Sequence, residues 1–265
     1  MWERSQLKAR AKATFKRFYW KAVIVSFIAF MLTGGMGQLA NSASDMRDTY
    51  NSSYREDYTG EYEDEYFDLE EEAESFIGTI LGDGLVFLFV NVFIIALILS
   101  LLIKLFIAYP IAVGKNNYFM GIRQEDRPVK TILCIYKSGK LKNTVFTMFM
   151  VDVFTYLWSL LFLIPGIIKS YEYRMIPYIL SENPNISRKR AFEISKKMMY
   201  GNKWQTFILD LSFLGWYLLS AITAGILAVF YVNPYVESTN AELYAFLRQD
   251  ALEKGYVDES ELIGF

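Results

Sequence analysis

The chain contains no histidine. Ser-His-Asp and Cys-His triads, HExxH metalloprotease sites and histidine proton relays are therefore excluded. A single cysteine, Cys134, is present, so neither an intrachain disulfide nor a thiolate zinc cluster can form. Net charge is nearly absent as well: 27 basic residues against 29 acidic ones leave −2. What is abundant is apolar surface. Hydrophobic residues make up 53% and aromatics 17%, and the mean hydropathy is +0.20. Since 21% of residues are charged all the same, the charges must stand apart from long apolar runs. This composition excludes disorder, collagen and coiled coil as the overall state.

A spanning helix needs about 20 apolar residues to cross a hydrocarbon core about 30 Å thick. Six stretches qualify by reading: 22–39, 85–108, 144–164, 166–180, 204–222 and 225–246. The second is the clearest and closes at Pro110; the third ends at Pro165-Gly166. The expected fold class is all-α, a polytopic transmembrane helical bundle of about six spans forming one membrane domain over 1–265. A basic stretch of 21 residues precedes the first span and no clean A-x-A site follows it, so that span is read as an uncleaved anchor.

The charges test the layout, because cytoplasmic loops carry excess Lys and Arg. Seven basic residues precede the first span, seven lie in 111–143 and six in 182–203. The loop 41–80 has two basic residues, Arg47 and Arg55, against thirteen acids. Six spans place these segments inside, inside, inside and outside respectively, with both termini cytoplasmic. The fourth stretch is the least apolar. Without it the basic segment 182–203 would lie outside, against the bias, so charge favours a tight hairpin of spans three and four. Four or five spans remain the alternative.

Outside the spans, residues 1–21 read as a basic amphipathic helix, with Leu7, Ala11, Phe15, Phe18 and Ala22 recurring every three to four residues. Residues 187–200 read as a second, with Ala191, Ile194 and Met198 on one face and Ser187 or Asn185 as the cap. Each is either a cytoplasmic anchor beside its span or a surface for the anionic inner leaflet. The stretch 41–76 is an acidic, Tyr-rich extracellular loop in which Tyr50, Tyr54, Tyr58, Tyr62 and Tyr66 repeat every four residues. It reads either as a solvated, partly disordered loop or as a cation- or partner-binding module, although it lacks the spacing of an EF-hand loop. Residues 247–265 are expected to be a cytoplasmic tail.

Charges at bilayer depth are costly, so they face the bundle interior and pair. At a rise of about 1.5 Å per residue, Asp152, Arg174 and Glu237 fall near mid-depth of spans three, four and six. Asp210 lies about 9 Å in from Trp204 on span five. Lys169 and Glu172 occupy the outer half of span four. These six form the candidate intramembrane polar site, and the bundle is expected to pair Arg174 with some of Asp152, Asp210 and Glu237. Pro177 and Pro234 add backbone breaks of the kind found at transporter binding sites. The site either binds a small ion, lipid headgroup or solute, or holds the hairpins in register. No catalytic residue, metal ligand set or cofactor is assigned, and no internal repeat was found.

Several ordered blocks carry a resemblance: W158-S-L-L-F-L-I-P-G-I-I-K-S-Y-E-Y-R-M-I-P-Y-I-L-S-E-N-P184, A191-F-E-I-S-K-K-M-M-Y-G-N-K-W204, L209-D-L-S-F-L-G-W216 and N233-P-Y-V-E-S-T-N-A-E-L-Y244. With the basic helix at R4-S-Q-L-K8, they resemble an uncharacterised multi-pass membrane family of Gram-positive bacteria, domain of unknown function 975. The Pro-Gly turn, the basic helix and the closing pattern are also remotely similar to the membrane domain attached to some glycerophosphodiester phosphodiesterases, whose catalytic domain this chain does not show. The resemblance implies a helical bundle in a bacterial plasma membrane, and it carries no catalytic residues across. The acidic loop lies outside the shared blocks.

The expected function is a non-catalytic structural or regulatory component of the cell envelope. It would act through membrane lipids or an unknown protein partner, with no role for nucleic acid. The alternative is a small-solute or ion transporter using the intramembrane charges.

Overall fold

The computed structural model describes the backbone of residues 2–35 and 68–264 and the side chains of 2–33 and 84–264. The tyrosine repeat and the acids of 41–76 fall outside the described side chains. Among the described residues the secondary structure is helical, with no strand. Three helices are long and apolar enough to cross a membrane: Gly84–Gly121, Leu141–Leu161 and Lys203–Ile222. Tyr19–Thr33 is a shorter apolar helix. The chain divides into two compact units, Gly35–Lys104 and the remainder.

The first unit contributes one long helix, which with the first two of the second unit gives α1 (Arg4–Arg17), α2 (Tyr19–Phe30) and α3 (Asp68–Ile103). From Leu85 to Ile103 the large side chains of α3 are exposed on every face, Phe89 and Phe93 among them. A helix apolar all round suits lipid rather than water.

The second unit continues with α4 (Tyr109–Gly121), a 3-10 turn at Val129–Leu133, α5 (Cys134–Lys137), α6 (Leu141–Leu161), α7 (Leu163–Tyr173), α8 (Ile176–Glu182), α9 (Arg188–Met199), α10 (Lys203–Leu211), α11 (Leu214–Ile222) and α12 (Asn233–Glu253). Its core is contiguous and includes Phe15, Tyr118, Phe119, Ile176, Ile179, Ile194 and Tyr244.

Both basic amphipathic helices turn their apolar faces to protein. Leu7, Ala11 and Phe15 of α1 are buried, and α1 packs along α12. Ala191, Ile194 and Met198 of α9 are buried in the same way. Sequence periodicity reports an apolar face without saying what covers it; here the cover is the bundle. The cap expected at Ser187 forms, its hydroxyl accepting from the Arg190 N–H at 3.3 Å. The stretch read as a tail is also structured. α12 runs on to Glu253, and beyond it Val257 and Leu262 are buried. Arg248 donates to the Leu262 carbonyl at 2.7 Å, and Arg190 donates to both oxygens of Glu261 at 2.7 and 2.8 Å.

The prolines act differently from the expectation. The helix of the second apolar stretch does not stop at Pro110; helical structure continues to Gly121. A π-turn at Lys104–Ala108 precedes the proline. Proline cannot donate to the carbonyl four residues earlier, which here is that of Phe106, and the Tyr136 hydroxyl donates to that carbonyl instead at 2.5 Å. Pro234 follows another π-turn, Ala228–Val232. The reversal between α6 and α7 falls at Phe162, whose backbone is extended, so Pro165 sits inside the first turn of α7. Gly166 serves close packing: a Cβ there would lie 2.2 Å from the Ser159 hydroxyl. A turn at 223–225 follows α11, with φ of 50° at Ala224 and 82° at Gly225, and the Gly225 N–H reaches back to the Ser220 carbonyl at 2.9 Å.

Two predictions follow from this packing. A Cβ at Gly114 would meet the Ile132 backbone oxygen at 1.9 Å, whereas at Gly215 it would meet nothing within 4 Å. Gly114→Ala should lower the unfolding free energy in detergent by about 1–3 kcal/mol, while Gly215→Ala should leave it unchanged or raise it by up to about 1 kcal/mol. Equal effects would contradict the α4 contact. The second concerns pH. The Arg190 guanidinium holds the Glu261 carboxyl below its ordinary value. A depressed carboxylate stabilises above its unfolded pKa of about 4.3, and that contribution is lost as pH falls through the folded value. Hydrogen exchange at 256–264 should therefore accelerate below about pH 4 more than in the α4 core, and Glu261→Gln should remove the difference.

Candidate functional site

The fourth apolar stretch is broken between α7 and α8. Pro177 disfavours helix at the residue before it and lies in the first turn of α8. Arg174 and Met175 occupy the break, and a buried serine from α9 closes it. Ser195 donates to the Glu172 carbonyl at 2.7 Å and accepts from the Met175 N–H at 3.3 Å.

At this break Arg174 meets Asp210 of α10. Its two terminal nitrogens donate to the two carboxylate oxygens at 2.5 and 2.8 Å, the paired geometry that suits guanidinium best. Two further hydrogen bonds extend the pair. Arg174 donates to the Asn240 side-chain oxygen at 2.9 Å, and the Tyr171 hydroxyl donates to Asp210 at 2.7 Å. One node thus joins α7, α10 and α12.

The other candidate residues go elsewhere. Glu172 is buried and takes Lys203 at 2.9 Å, Lys169 at 3.1 Å and Lys196 at 3.9 Å. Glu237 of α12 pairs with Lys115 of α4 at 2.5 Å. Asp152 of α6 accepts from the Tyr109 hydroxyl at 2.6 Å. The six residues are therefore distributed over four contacts rather than gathered round one void, and of the three expected partners Arg174 pairs with Asp210.

Sequence reading missed most of the partners. Lys115 was counted in a basic loop, although its position four residues after Ile111 continues the helical register. Asn240, Tyr171 and Tyr109 are neutral, and no charge pattern marks them. Two pairs with buried carboxylates were overlooked outright, Arg123 with Glu242 at 2.8 Å and Arg248 with Glu182 at 3.0 Å. Glu242 stands between Ala241 and Leu243, an apolar setting that was the available signal, whereas Glu182 stands between Ser181 and Asn183 and carried none.

A separate groove of about 760 Å³ lies between α6, α7 and the start of α9, lined by Phe154, Trp158, Lys169, Arg188, Lys189 and Phe192 with Met150, Tyr173 and Ser187. None of Arg174, Asp210, Asp152 or Glu237 lines it.

The model of the family Protein of unknown function (DUF975) matches residues 64–251. The chain belongs to that family. The match covers every paired residue of the nodes described above, including the Arg174–Asp210–Asn240 contact. No curated protein matches, and no solved structure matches; the remote likeness to the phosphodiesterase-associated membrane domain gains no support.

The bidentate pair yields a prediction for this family member. Arg174→Met strands Asp210 and should cost about 3–5 kcal/mol, while adding Asp210→Leu should recover most of it. Thermal unfolding of the two singles and the double gives the coupling. Additive losses would show that the contact carries no energy.

Proposed function

We propose that this DUF975 protein is a non-catalytic structural or regulatory component of a bacterial plasma membrane, acting through lipids or a protein partner. In this reading its intramembrane charges hold the helices in register. The observation that carries the reading is the direct contact: Arg174, Asp210 and Asn240 exchange hydrogen bonds of 2.5–2.9 Å, and Glu237 and Lys115 meet at 2.5 Å. A carrier needs its polar groups to release one another and face a solute. These groups are spent on each other.

The same reading takes six spans with both termini cytoplasmic. Support comes from exposed apolar side chains beyond the three long helices: Trp20, Ile24 and Phe27 on α2, Ile164, Ile167 and Ile168 on α7, and Ile226 and Phe230 before α12. Soluble proteins do not expose so much contiguous apolar surface. α8 is buried by protein, as are ten of the 21 residues of α12, so their low hydropathy is compatible with membrane depth.

The experiment is reconstitution of the full chain into vesicles loaded with ion-sensitive dyes for protons, sodium and potassium. Flux should not exceed that of empty vesicles. A saturable flux abolished by Asp210→Asn, in protein that remains folded, would overturn the structural reading. Topology is checked in the same vesicles with single cysteines in a Cys134→Ser background. Ile164→Cys is preferred to a label at Gly166, where a side chain would strike Ser159. Six spans require Ile164→Cys to label from outside and Asn185→Cys from inside.

A further inference from the structure

We infer that the groove between α6, α7 and α9 is a binding site for one anionic phospholipid, its phosphate held by Arg188, Lys189 and Lys169 and its acyl chain lying along α6. The inference rests on the membrane-embedded reading above and adds a defined ligand class and place.

The charge in the groove is unbalanced. Arg188 and Lys189 make no ion pair among the described residues; Arg188 instead lies over the Phe146 ring at 4.3 Å. Lys169 shares Glu172 with Lys196 and Lys203, so one carboxylate answers three ammonium groups. The imbalance has no internal compensation from the helix. Arg188 and Lys189 stand in the first turn of α9, which holds no acidic residue. Cations belong at the other end of a helix dipole, and the start of a helix favours an anion. An anionic group in the groove would satisfy the three side chains and the helix together.

The walls specify the rest of the ligand. Met150, Phe154 and Trp158 line the groove at four-residue intervals, so they form one face of α6. The stripe runs on through the exposed Leu157 and Leu161 toward the α6–α7 reversal. Phe154 and Tyr173 both pack edge-on to Phe192, with ring centroids 5.7 and 5.0 Å apart, which makes the wall stiff. Lys169 stands 5.3 Å over the Trp158 ring, at the boundary between the cationic and apolar parts. A free phosphate would use the cations and leave this wall idle; a phospholipid uses both. A basic mouth also suits the anionic cytoplasmic leaflet, where the six-span arrangement places α9. Lys169, expected from the sequence in the outer half of its span, is instead brought to the α9 side by the Glu172 contacts to Lys196 and Lys203.

The test is native mass spectrometry of the full-length protein in detergent, titrated with phosphatidylglycerol, with phosphatidylcholine of the same chains, and with inorganic phosphate. Phosphatidylglycerol should be retained over phosphatidylcholine. Each basic residue near an anionic group is worth about fivefold, so Arg188→Gln with Lys189→Gln should weaken phosphatidylglycerol about 30-fold. Lys189→Glu, at a side chain with no hydrogen bond or ion pair among the described residues, provides a second variant that leaves the fold intact. Lys12→Gln with Lys16→Gln, exposed on α1, should change binding less than threefold. Equal losses from the α9 and α1 variants would overturn the site in favour of general surface charge. Phosphate competing at the same concentration as the lipid would overturn the lipid assignment. The unmodified protein passing the flux assay while failing here would sink this proposal and leave the structural reading standing.

Discussion

A guanidinium or carboxylate taken out of water must find another charge, because the desolvation cost far exceeds what packing returns. The architecture of this chain is arranged round that constraint. Arg174 of the α7–α8 break reaches Asp210 of α10 and Asn240 of α12, and Lys115 of α4 reaches Glu237 of α12. Arg123 and Arg248 extend the pattern to Glu242 and Glu182. α12 supplies a partner at each of these nodes. This helix carries buried polar groups, Ser238, Thr239 and Glu242 among them, and its low hydropathy is offset because its neighbours provide polar partners that lipid cannot.

The same accounting applies to the backbone. Each proline that interrupts a helix frees a carbonyl, and buried carbonyls are expected to be partnered. At Pro110 the Phe106 carbonyl is taken by Tyr136. At the break before Pro177 the hydroxyl of Ser195 serves both a carbonyl and an N–H. The π-turns before Pro110 and Pro234 widen the helix where the proline ring would otherwise strike the preceding turn. Breaks of this kind look like transporter hinges in a sequence. Here the freed groups at 106 and 172–175 are bonded within the protein, and a hinge would have to surrender those bonds to move.

The coarse architecture was legible because hydrophobic length is a local property. The runs at 85–108, 144–164 and 204–222 lie within or along the three helices long enough to span. What local pattern cannot carry is identity of the neighbour. Leu7, Ala11 and Phe15 would mark an amphipathic face whether lipid or α12 lay against it. Likewise the candidate charges were visible one by one, but Arg174 and Asp210 are 36 positions apart and Lys115 and Glu237 are 122 apart. Nothing in the spacing chooses among such partners. Pairing through neutral groups was the least visible of all, since Tyr109, Tyr171 and Asn240 have no charge to be counted.

The family match at 64–251 gives the pairings a further meaning. Both partners of Arg174–Asp210, Lys115–Glu237, Arg123–Glu242 and Arg248–Glu182 lie within it. Other ties cross its edges, among them Lys8 of α1, which donates to the Ser212 carbonyl at 3.3 Å, and Arg190, which holds Glu261. The first set joins elements within the matched region; the second fastens terminal segments to it. Loss of a crossing tie frees one segment, whose polar groups can turn to water. Loss of an internal pair leaves a charge with no alternative partner. The physics therefore ranks the internal pairs as what makes the bundle one structure, and the crossing ties as what trims its ends.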